Sequence, residues 1–352
     1  MAIKPIHIAL DAMGGDDAPD IVIKGAARAL KRYPSVRYTI FGDKAIINPM
    51  IDALPELAEA STIRHTDQKV SAEGSVKQAL RQRDTSMRLA VEAVKNKEAD
   101  AVVSAGSTGA LMGISYLLLK TLPGIERPAI ASFFPTLRGE ACMLDLGANV
   151  QCSARNLVEF AIMGNVFASL ALGVKYPSYG LLNIGTEASK GLDYIKDAAQ
   201  KIQDINERAG PDGGIPGKYV GYVEGDAVTA GNVDVIVTDG FTGNVALKMG
   251  EGTAKLTTEY IRRTFRASLM AKIGYVFAAR TFRKLRLRLD PRRYNGAILL
   301  GLNGVSVKSH GGTDEIGFAN AIGVAVDLVE GKVQESISQE LAKLAPVLQS
   351  EA

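Results

Sequence analysis

Cysteine and histidine are scarce in this sequence of 352 residues, which has two cysteines and three histidines. Cys142 and Cys152 give no disulfide framework and are typical of a reducing compartment. Because neither residue type recurs at ligand spacing, we expect no zinc or other metal site. No charge-free apolar stretch reaches the roughly 18 residues that span a bilayer. The opening MAIKPIHIAL lacks a signal-peptide pattern, so we expect a cytoplasmic protein.

Motifs of nucleotide-binding and hydrolytic enzymes are missing too. The one Gly-x-Gly, Gly250 and Gly252, is followed by Lys255 where the dinucleotide fingerprint requires a third glycine. No Gly-Lys pair precedes Ser or Thr, which argues against a Walker loop. Ala105 replaces the first glycine of a nucleophile elbow around Ser107, so that serine is disfavoured as a nucleophile.

What the sequence does contain is an alternation of short apolar runs with amphipathic stretches. The runs predict buried strands at 6–10, 37–41, 100–105, 129–134, 141–146, 179–184, 218–223 and 233–238. The stretches predict helices at 19–32, 86–97, 109–120, 155–172, 188–207 and 243–260. This order predicts an α/β fold, a three-layer, doubly wound, mostly parallel sheet in one two-lobed domain over 1–352.

Turns rich in Gly, Ser, Thr and Asn follow these apolar runs. They lie at 11–20, 104–110, 145–150, 183–191, 224–231, 238–244 and 301–317. Ligands of parallel α/β sheets bind at the carboxyl ends of strands, so we expect these turns to converge on one sheet edge. Their N–H groups at helix starts would form a polar cleft suited to an anion. Taken singly, each turn is better explained as an ordinary helix N-cap, so the prediction depends on the whole set.

Positive charge is concentrated in residues 262–293. This segment has eleven Lys and Arg against one acid, Asp290, a net +10. Of the 41 basic and 38 acidic residues, 30 and 37 remain elsewhere, so the rest of the chain carries −7. The molecule is therefore strongly polarised, despite a net charge of only +3.

Within that segment, Phe265, Leu269, Ile273 and Phe277 recur at helical spacing with basic residues between them. The pattern predicts a basic amphipathic helical insertion over 260–294, able to lie at an anionic membrane surface. A dimer-interface helix is the alternative. Nucleic acid is not expected, because the segment has few aromatic residues and the rest of the chain is acidic.

The glycine-rich blocks occur in an order that resembles one known family. ALDAMGGD, SAGSTGALM, LDLGAN, NIGTEASKG, DGFTGN and GLNGVSVKSHGGTD follow one another from residue 8 to about residue 320. Each block is short, but the joint order resembles the phosphate acyltransferase (PlsX) family of bacterial phospholipid synthesis. Thr186 departs from the family pattern, which has a second acidic residue at that position.

The resemblance implies a fold similar to isocitrate dehydrogenase and phosphotransacetylase, in a cytoplasmic homodimer that touches the membrane surface. It implies transfer of a long fatty acyl group from the thioester of acyl carrier protein to inorganic phosphate. The expected partners are acyl carrier protein, an anionic membrane surface, a second copy of the chain and the next acyltransferase of the pathway. No cofactor is expected beyond the phosphopantetheine arm that the carrier brings.

This chemistry agrees with the missing motifs, because phosphate is its own nucleophile and needs chiefly oxyanion donors and positioning. The candidate catalytic residues are His310, Lys190 and Asn149. His310 would protonate the leaving thiolate or orient phosphate, unless it is structural. Lys190 and Lys248 are candidate point charges for phosphate, or else solvated helix lysines. The remaining candidate binding residues are Ser104, Ser107, Thr108, Asn183, Glu187, Asp239, Thr242, Asn244 and Asn303.

Other polar residues have plainer interpretations. Asp11 and Asp16 are expected to form turns by accepting backbone hydrogen bonds, or else to contact the pantetheine arm. His7 lies inside the first strand and is expected to be structural. His65 is expected at the surface.

In the basic segment, we expect Phe265, Leu269, Ile273 and Phe277 to meet membrane or the dimer mate. Arg283, Lys284 and Arg286, within 283–293, are expected to dock the acidic carrier.

Three rival functions remain open. A coenzyme A-dependent phosphotransacetylase would not need the basic segment, an isocitrate-like dehydrogenase would need an acidic metal cluster, and a membrane scaffold would not need the donor-rich turns.

Overall fold

The computed structural model describes residues 5–71, 74–210, 213–288 and 290–349, without the side chains of 284–288, 291, 347 and 349. The strands are β1 His7–Asp11, β2 Arg37–Gly42, β3 Ser61–His65, β4 Ala101–Ser104, β5 Ala129–Thr136, β6 Gly139–Leu144, β7 Ser178–Leu182, β8 Lys218–Val223, β9 Val235–Val237, β10 Ala297–Leu300 and β11 Val305–Lys308.

The helices follow the strands along the chain. They are α1 Asp20–Arg32, α2 Lys44–Asp52, α3 Pro55–Ala60, α4 Val76–Arg81, α5 Ser86–Lys95, α6 Thr108–Leu119, α7 Ala154–Leu172, α8 Asp193–Ala209, α9 Ala227–Ala230, α10 Gly240–Arg266, α11 Leu269–Arg288, α12 Glu315–Glu330 and α13 Val333–Gln349. A short 3-10 helix, Pro291–Tyr294, follows α11.

Among the described residues, the strands form one eleven-stranded sheet in the order β3-β2-β1-β4-β11-β10-β5-β6-β9-β7-β8. β10 is antiparallel to β11 and to β5, and β5 is antiparallel to β6. The other adjacent strands are parallel. The prediction of a mostly parallel α/β sheet is confirmed.

Helices cover both faces of this sheet. Ile8 and Leu10 of β1 join a core with residues of α1, α7, α8, α12 and α13, whereas Ala9 joins a second core with α5 and α6. Successive side chains of a strand point to opposite faces, so the sheet separates two apolar layers. The three-layer prediction therefore holds.

The antiparallel pairings reverse the direction of the sheet. β6, β7 and β9 run opposite to β1, β4 and β11, because three successive antiparallel pairs separate the two sets. We call the carboxyl ends of β1, β4 and β11 the first edge, and those of β6, β7 and β9 the second edge. The prediction that all donor-rich turns converge on one edge is wrong, since the β5–β6 hairpin turns the later strands around.

The segment 301–317, predicted as one turn, also differs. It contains the strand β11, and only 301–304 joins β10 to β11. Asn303 in this connection lies at the second edge, where β10 ends, whereas His310 follows β11 at the first edge. The segment 301–317 thus contributes residues to both edges of the sheet.

Helix α10 runs from the second edge toward the first. At its start, the Gly240 N–H donates to the Asn149 carbonyl oxygen at 2.8 Å. One turn later, a Cβ on Gly243 would lie 1.9 Å from the Asp145 carbonyl oxygen, and one on Gly250 would lie 2.6 Å from the ring of Phe134. The glycines let the helix lie directly against the sheet, with a rise of about 10 Å between Gly243 and Gly250.

Beyond this contact, α10 and α11 form a helical hairpin that is largely uncovered in the single chain. Of the α10 residues, only Gly240 and Gly243 are buried, and no described side chain of 269–283 is buried. The prediction of one amphipathic helix through 265–277 is wrong in one respect. The chain ends α10 at Arg266 and starts α11 at Leu269, so two helices share that stretch.

An aromatic cluster holds the two helices of the hairpin together. Phe265 of α10 lies 5.5 Å from Tyr275 and 4.8 Å from Phe282 between ring centroids. Phe265 therefore faces the hairpin interior instead of the apolar outer face predicted for it. The outer face of α11 exposes Leu269, Met270, Ile273, Val276 and Phe277.

No helix in the described ranges is both long and apolar enough to cross a bilayer. The helical hairpin is long, but basic residues interrupt its apolar face.

The contact between α10 and the sheet predicts opposite effects at two glycines of the same helix. Gly243→Ala should destabilise the protein by about 1–3 kcal/mol, because its methyl group would overlap a backbone oxygen. Gly252→Ala, with no atom within 4 Å of the added Cβ, should be neutral or stabilise by up to about 1 kcal/mol. Urea unfolding of both variants measures the difference, and equal midpoints would contradict the close contact.

Candidate active site

Three polar side chains form a row across neighbouring strands at the first edge. Asp11, Ser104 and Lys308 are the last residues of β1, β4 and β11. Asp11 lies beside Ser104, and Ser104 beside Lys308, in the register of the sheet. With strands about 4.8 Å apart, the Cα atoms of Asp11 and Lys308 are about 10 Å apart. All three side chains point to the face that α5, α6 and α10 cover.

The carboxylate of Asp11 is held by buried hydroxyl groups. It accepts hydrogen bonds from Ser86 Oγ and Ser104 Oγ, both at 2.6 Å, and from the Met13 N–H at 3.3 Å. Ser104 Oγ accepts from the Gly106 N–H at 3.0 Å, so its own proton is directed at Asp11. Burial raises the pKa of Asp11, and the hydroxyl hydrogen bonds oppose this shift. The Ser104 hydroxyl is thus used within the protein.

Lys308 joins two loops of the first edge. The side chain is largely buried, and Nζ donates to the carbonyl oxygen of Ala105 at 3.4 Å and to that of Ser309. Ala105 follows β4 and Ser309 follows β11, so the amine group bridges both turns. Burial lowers the pKa of Lys308 to about 8, while the charges of Asp11 and Asp16 oppose that shift.

His310 lies on the loop just after Lys308. Its main-chain N–H donates to Asn295 Oδ1 at 2.8 Å, and the Gly312 N–H donates to its Nδ1 at 3.3 Å. In a neutral ring, this bond places the proton on Nε2. Partial burial and the positive charge of Lys248 lower the pKa of His310, which favours the neutral ring at pH 7.

Lys248 reaches this site from helix α10. Its charge acts on both Lys308 and His310, and its Nζ pairs with Glu251 at 2.9 Å. The structure therefore brings together Lys248 and His310, two of the predicted residues. It adds Lys308, which was not among the predicted site residues.

The start of α6 lies at the same edge. Ser107 caps the helix, with its Oγ accepting from the Ala110 N–H at 3.5 Å. Thr108 is the first helical residue and is exposed. The N-cap interpretation of Ser107 is confirmed, and a role of either residue in binding an anion stays a prediction.

A second polar group lies at the second edge, centred on Asp145. This carboxylate is fully buried and accepts N–H groups of Ile130, Gly147, Ala148 and Asn149 at 2.7–3.1 Å. The Asn149 amide Nδ2 also donates to Asp145, at 2.9 Å, and to the Pro128 carbonyl oxygen at 2.8 Å. Asn149 is buried, and both amide hydrogens have internal acceptors, so the geometry makes it a support of this loop.

Asp239 caps the start of α10 beside this loop. It accepts from the Thr242 N–H at 2.9 Å, from Thr242 Oγ1 at 2.7 Å and from the Tyr194 hydroxyl at 3.0 Å. Burial, with Asp239 nearby, raises the pKa of Tyr194. The side chain of Asn244 lies over Gly147. A Cβ atom added to Gly147 would be 3.5 Å from the Cβ of Asn244. Asp239 and Thr242 thus have demonstrated capping partners, and Asn244 is exposed.

The loop after β7 completes the second-edge group. Asn183 Nδ2 donates to the Lys190 carbonyl oxygen at 3.1 Å and closes the loop. Glu187 and Lys190 are exposed, and the Lys190 N–H donates to the Glu187 carbonyl oxygen at 3.0 Å. Asn303 is also exposed and donates to the Thr121 carbonyl oxygen at 2.7 Å. Within one chain, Lys190 and Asn149 therefore lie at the edge opposite His310.

The helical hairpin returns to the first edge beside His310. Asn295, just beyond α11, accepts the His310 N–H and donates to Ser309 Oγ at 2.8 Å. Arg292 forms salt bridges of 2.6 Å with Asp290 and 2.8 Å with Asp314. Both ends of the hairpin, Lys248 and Asn295, thus adjoin the same loop.

Only part of the basic surface that is predicted to dock the carrier lies within the described residues. Arg283 is exposed on α11. Lys284 and Arg286 follow it in the helix, but their side chains lie outside the described residues. Arg292 within the same stretch is engaged in the internal salt bridges.

The remaining histidines have ordinary environments. His7 Nε2 lies 2.8 Å from Thr39 Oγ1 inside the sheet, and His65 is exposed, with Nδ1 accepting from the Lys44 N–H at 3.2 Å. No group of three metal-ligating side chains occurs in the described part of the chain. That no metal takes part stays a prediction.

Solved structures that are similar in fold include two phosphotransacetylases. The phosphotransacetylase from Streptococcus pyogenes superposes with a TM-score of 0.61 at 18% identity, and the EutD phosphotransacetylase from Staphylococcus aureus with 0.58 at 18%. Each comparison covers 93% of this chain and 94% of the other chain. The chain therefore has the phosphotransacetylase-like α/β fold.

Sequence comparison defines the family more closely. Residues 6–336 match the family described as fatty acid synthesis protein. A phosphate acyltransferase from Rhodospirillum centenum is 56% identical over 346 residues, 98% of this chain and 95% of the relative. A phosphate acyltransferase from Paramagnetospirillum magneticum is 53% identical over 342 residues, which are 97% of this chain and 95% of the relative. The chain belongs to this family of phosphate acyltransferases and is an acyltransferase.

The proximity of Lys248 to His310 predicts a measurable charge effect. Lys248→Met should raise the pKa of His310, because it removes a positive charge that disfavours the imidazolium. Titration of the histidine ring signals by NMR measures this, and three histidines give few signals to assign. Lys190→Met, at the other edge, is the control and should leave the pKa unchanged. The same shift in both variants would contradict the assembled site.

Proposed function

We propose that this acyltransferase moves a long-chain fatty acyl group from the thioester of acyl carrier protein to inorganic phosphate, giving acyl phosphate for glycerophospholipid synthesis. The observation that carries the proposal is the cationic first edge at the base of the apolar, basic hairpin. A phosphate site and a surface for a lipid-like, carrier-bound substrate then adjoin one another.

The reaction requires only acid-base and electrostatic help from the protein. A phosphate oxygen forms a bond to the thioester carbonyl carbon, and the carbonyl oxygen takes the electron pair. Collapse of this intermediate breaks the carbon–sulfur bond. Neutral His310 gives its Nε2 proton to the departing thiolate and regains one from the phosphate hydroxyl, so protons balance. Lys248 contributes positive charge beside phosphate.

A long acyl chain fits the exposed apolar row of α10. Phe241, Val245, Met249, Leu256 and Tyr260 recur on one side of the helix and are 48–65% exposed. The row is about 28 Å long at 1.5 Å per residue. An acetyl group would gain nothing from such a length of apolar surface, whereas a fatty acyl chain would bury it.

The partners follow from the charge and the apolar face of the hairpin. We propose that the outer face of α11 contacts an anionic membrane surface, while the basic stretch from Arg283 docks the acidic carrier. The protein would act as a cytoplasmic, peripherally membrane-associated homodimer that passes acyl phosphate to the next acyltransferase. It would need no cofactor other than the carrier's phosphopantetheine arm.

The proposed reaction is tested by phosphate-dependent release of carrier thiol from palmitoyl-acyl carrier protein, with acetyl-coenzyme A as the paired substrate. Rapid release from the long-chain substrate alone, with acyl phosphate trapped by hydroxylamine, is the expected result. His310→Ala should lower kcat about 100- to 10,000-fold if its proton transfer is rate-limiting. Reaction with acetyl-coenzyme A alone would instead favour the short-chain phosphotransacetylase, and no reaction with either would favour the scaffold.

The membrane proposal predicts a specific loss on the outer face of α11. Phe277→Asp should lower binding to vesicles containing phosphatidylglycerol by about tenfold or more, because it replaces a large apolar contact with a negative charge. Ser268→Asp adds the same charge between the two helices and is the matched control. If Phe277→Asp binds vesicles normally but dissociates in sedimentation velocity, this face belongs to the dimer.

A further inference from the structure

We propose that Lys308 is the phosphate-binding cation of this enzyme, aimed into the first edge and balanced by Asp11. The inference rests on the proposed use of phosphate as acceptor. It goes beyond the predicted site residues, since Lys308 lies within one of the glycine-rich blocks but was not among the candidate lysines.

The first observation is the position of Lys308. Asp11, Ser104 and Lys308 lie side by side at the ends of three parallel strands, on the face where α10 places Lys248. Carboxyl ends of parallel strands are where ligands of α/β sheets bind. The α6 start at Ser107 opens at the same edge and adds N–H donors to it.

The second observation is an unused donor. A lysine amine in its charged form has three N–H donors, and Lys308 directs two of them at the carbonyl oxygens of Ala105 and Ser309. No other acceptor for this group occurs among the described residues. Its side chain is largely buried but keeps some solvent exposure, so a ligand can reach the third donor.

The third observation is the missing direct ion pair. Lys308 forms no salt bridge within the described part of the chain, although Asp11 and Asp16 act on it from a distance. A charge withdrawn from water is costly unless a partner of opposite sign is close. The Asp11 carboxylate instead accepts hydrogen bonds from Ser86, Ser104 and Met13. A bound phosphate would supply that partner.

The groups that face Lys308 also set its pH response. Asp11 and Asp16 favour its charged form, Lys248 and burial disfavour it, and His310 on the same loop is itself sensitive to the Lys308 charge. Lys308 therefore loses its charge near the pH where many enzymes are assayed. Phosphate stays a dianion there, so a loss of binding above pH 8 would come from the protein.

The test is calorimetric titration of the wild-type protein with inorganic phosphate from pH 7 to pH 10. We expect only a small change in affinity between pH 7 and pH 8, where phosphate completes its own second ionisation, and a fall of about tenfold per pH unit above pH 8, since binding requires the proton on Lys308. Lys308→Met should bind phosphate about 10- to 100-fold more weakly at pH 7. Lys175→Met removes an exposed charge just before β7, five strands away from β11 in the sheet, and is the matched control.

Two further variants separate binding from folding defects. Lys308→Arg keeps its charge to higher pH and should move the fall in affinity upward. Asp11→Asn removes the balancing charge and should move the fall to lower pH. Unchanged phosphate affinity in Lys308→Met, or a fall at the same pH in both other variants, would overturn the proposal.

The proposed function has a separate outcome. If wild-type protein binds phosphate through Lys308 but forms no acyl phosphate from palmitoyl-acyl carrier protein, the proposed reaction is wrong while the binding site stands. If acyl phosphate forms and Lys308→Met keeps both phosphate affinity and the KM for phosphate, the reaction stands and the assignment of Lys308 is wrong.

Discussion

The buried carboxylate of Asp145 fixes the part of the fold on which the site depends. It gathers the N–H groups of its own loop and that of Ile130, and the loop in turn presents the Asn149 carbonyl oxygen to the start of α10. Because Gly243 lacks a side chain, α10 then lies against the sheet and crosses it to the first edge. The position of Lys248 beside His310, and the direction of the hairpin, both follow from this start.

The sheet reversal explains why the polar residues form two groups. In a fully parallel α/β sheet, the ligand-binding turns lie at one edge, where all the strands end. Here the β5–β6 hairpin sends the later strands the other way, so Lys190 and His310 end at opposite edges of one chain. The helix α10 is the element that links them, and its exposed apolar row gives a continuous path between the edges.

Much of the layered fold was predictable from periodicity, and less of the site. Each of the predicted strand and helix segments overlaps an observed one, although α8 starts five residues later than predicted and α10 ends six residues later. The strands β10 and β11 were missed, because four residues each, separated by a Gly-Leu-Asn-Gly turn, look like a loop. The two-edge arrangement depends on the antiparallel pairing of β5, β6, β10 and β11, which the apolar pattern of each single segment does not predict. Lys308 did carry a signal, since Asp11, Ser104 and Lys308 each end an apolar run with a polar residue, but only the register places them in one row.

The central claim is that phosphate binds at the first edge, among Lys308, His310 and Lys248. The most direct measurement is a crystal structure with arsenate, a phosphate analogue whose arsenic atom can be located by anomalous scattering. The account predicts an arsenic peak beside the amine nitrogen of Lys308 and the Nε2 of His310. A single peak at the second edge, against Lys190 and the loop after β7, would contradict it.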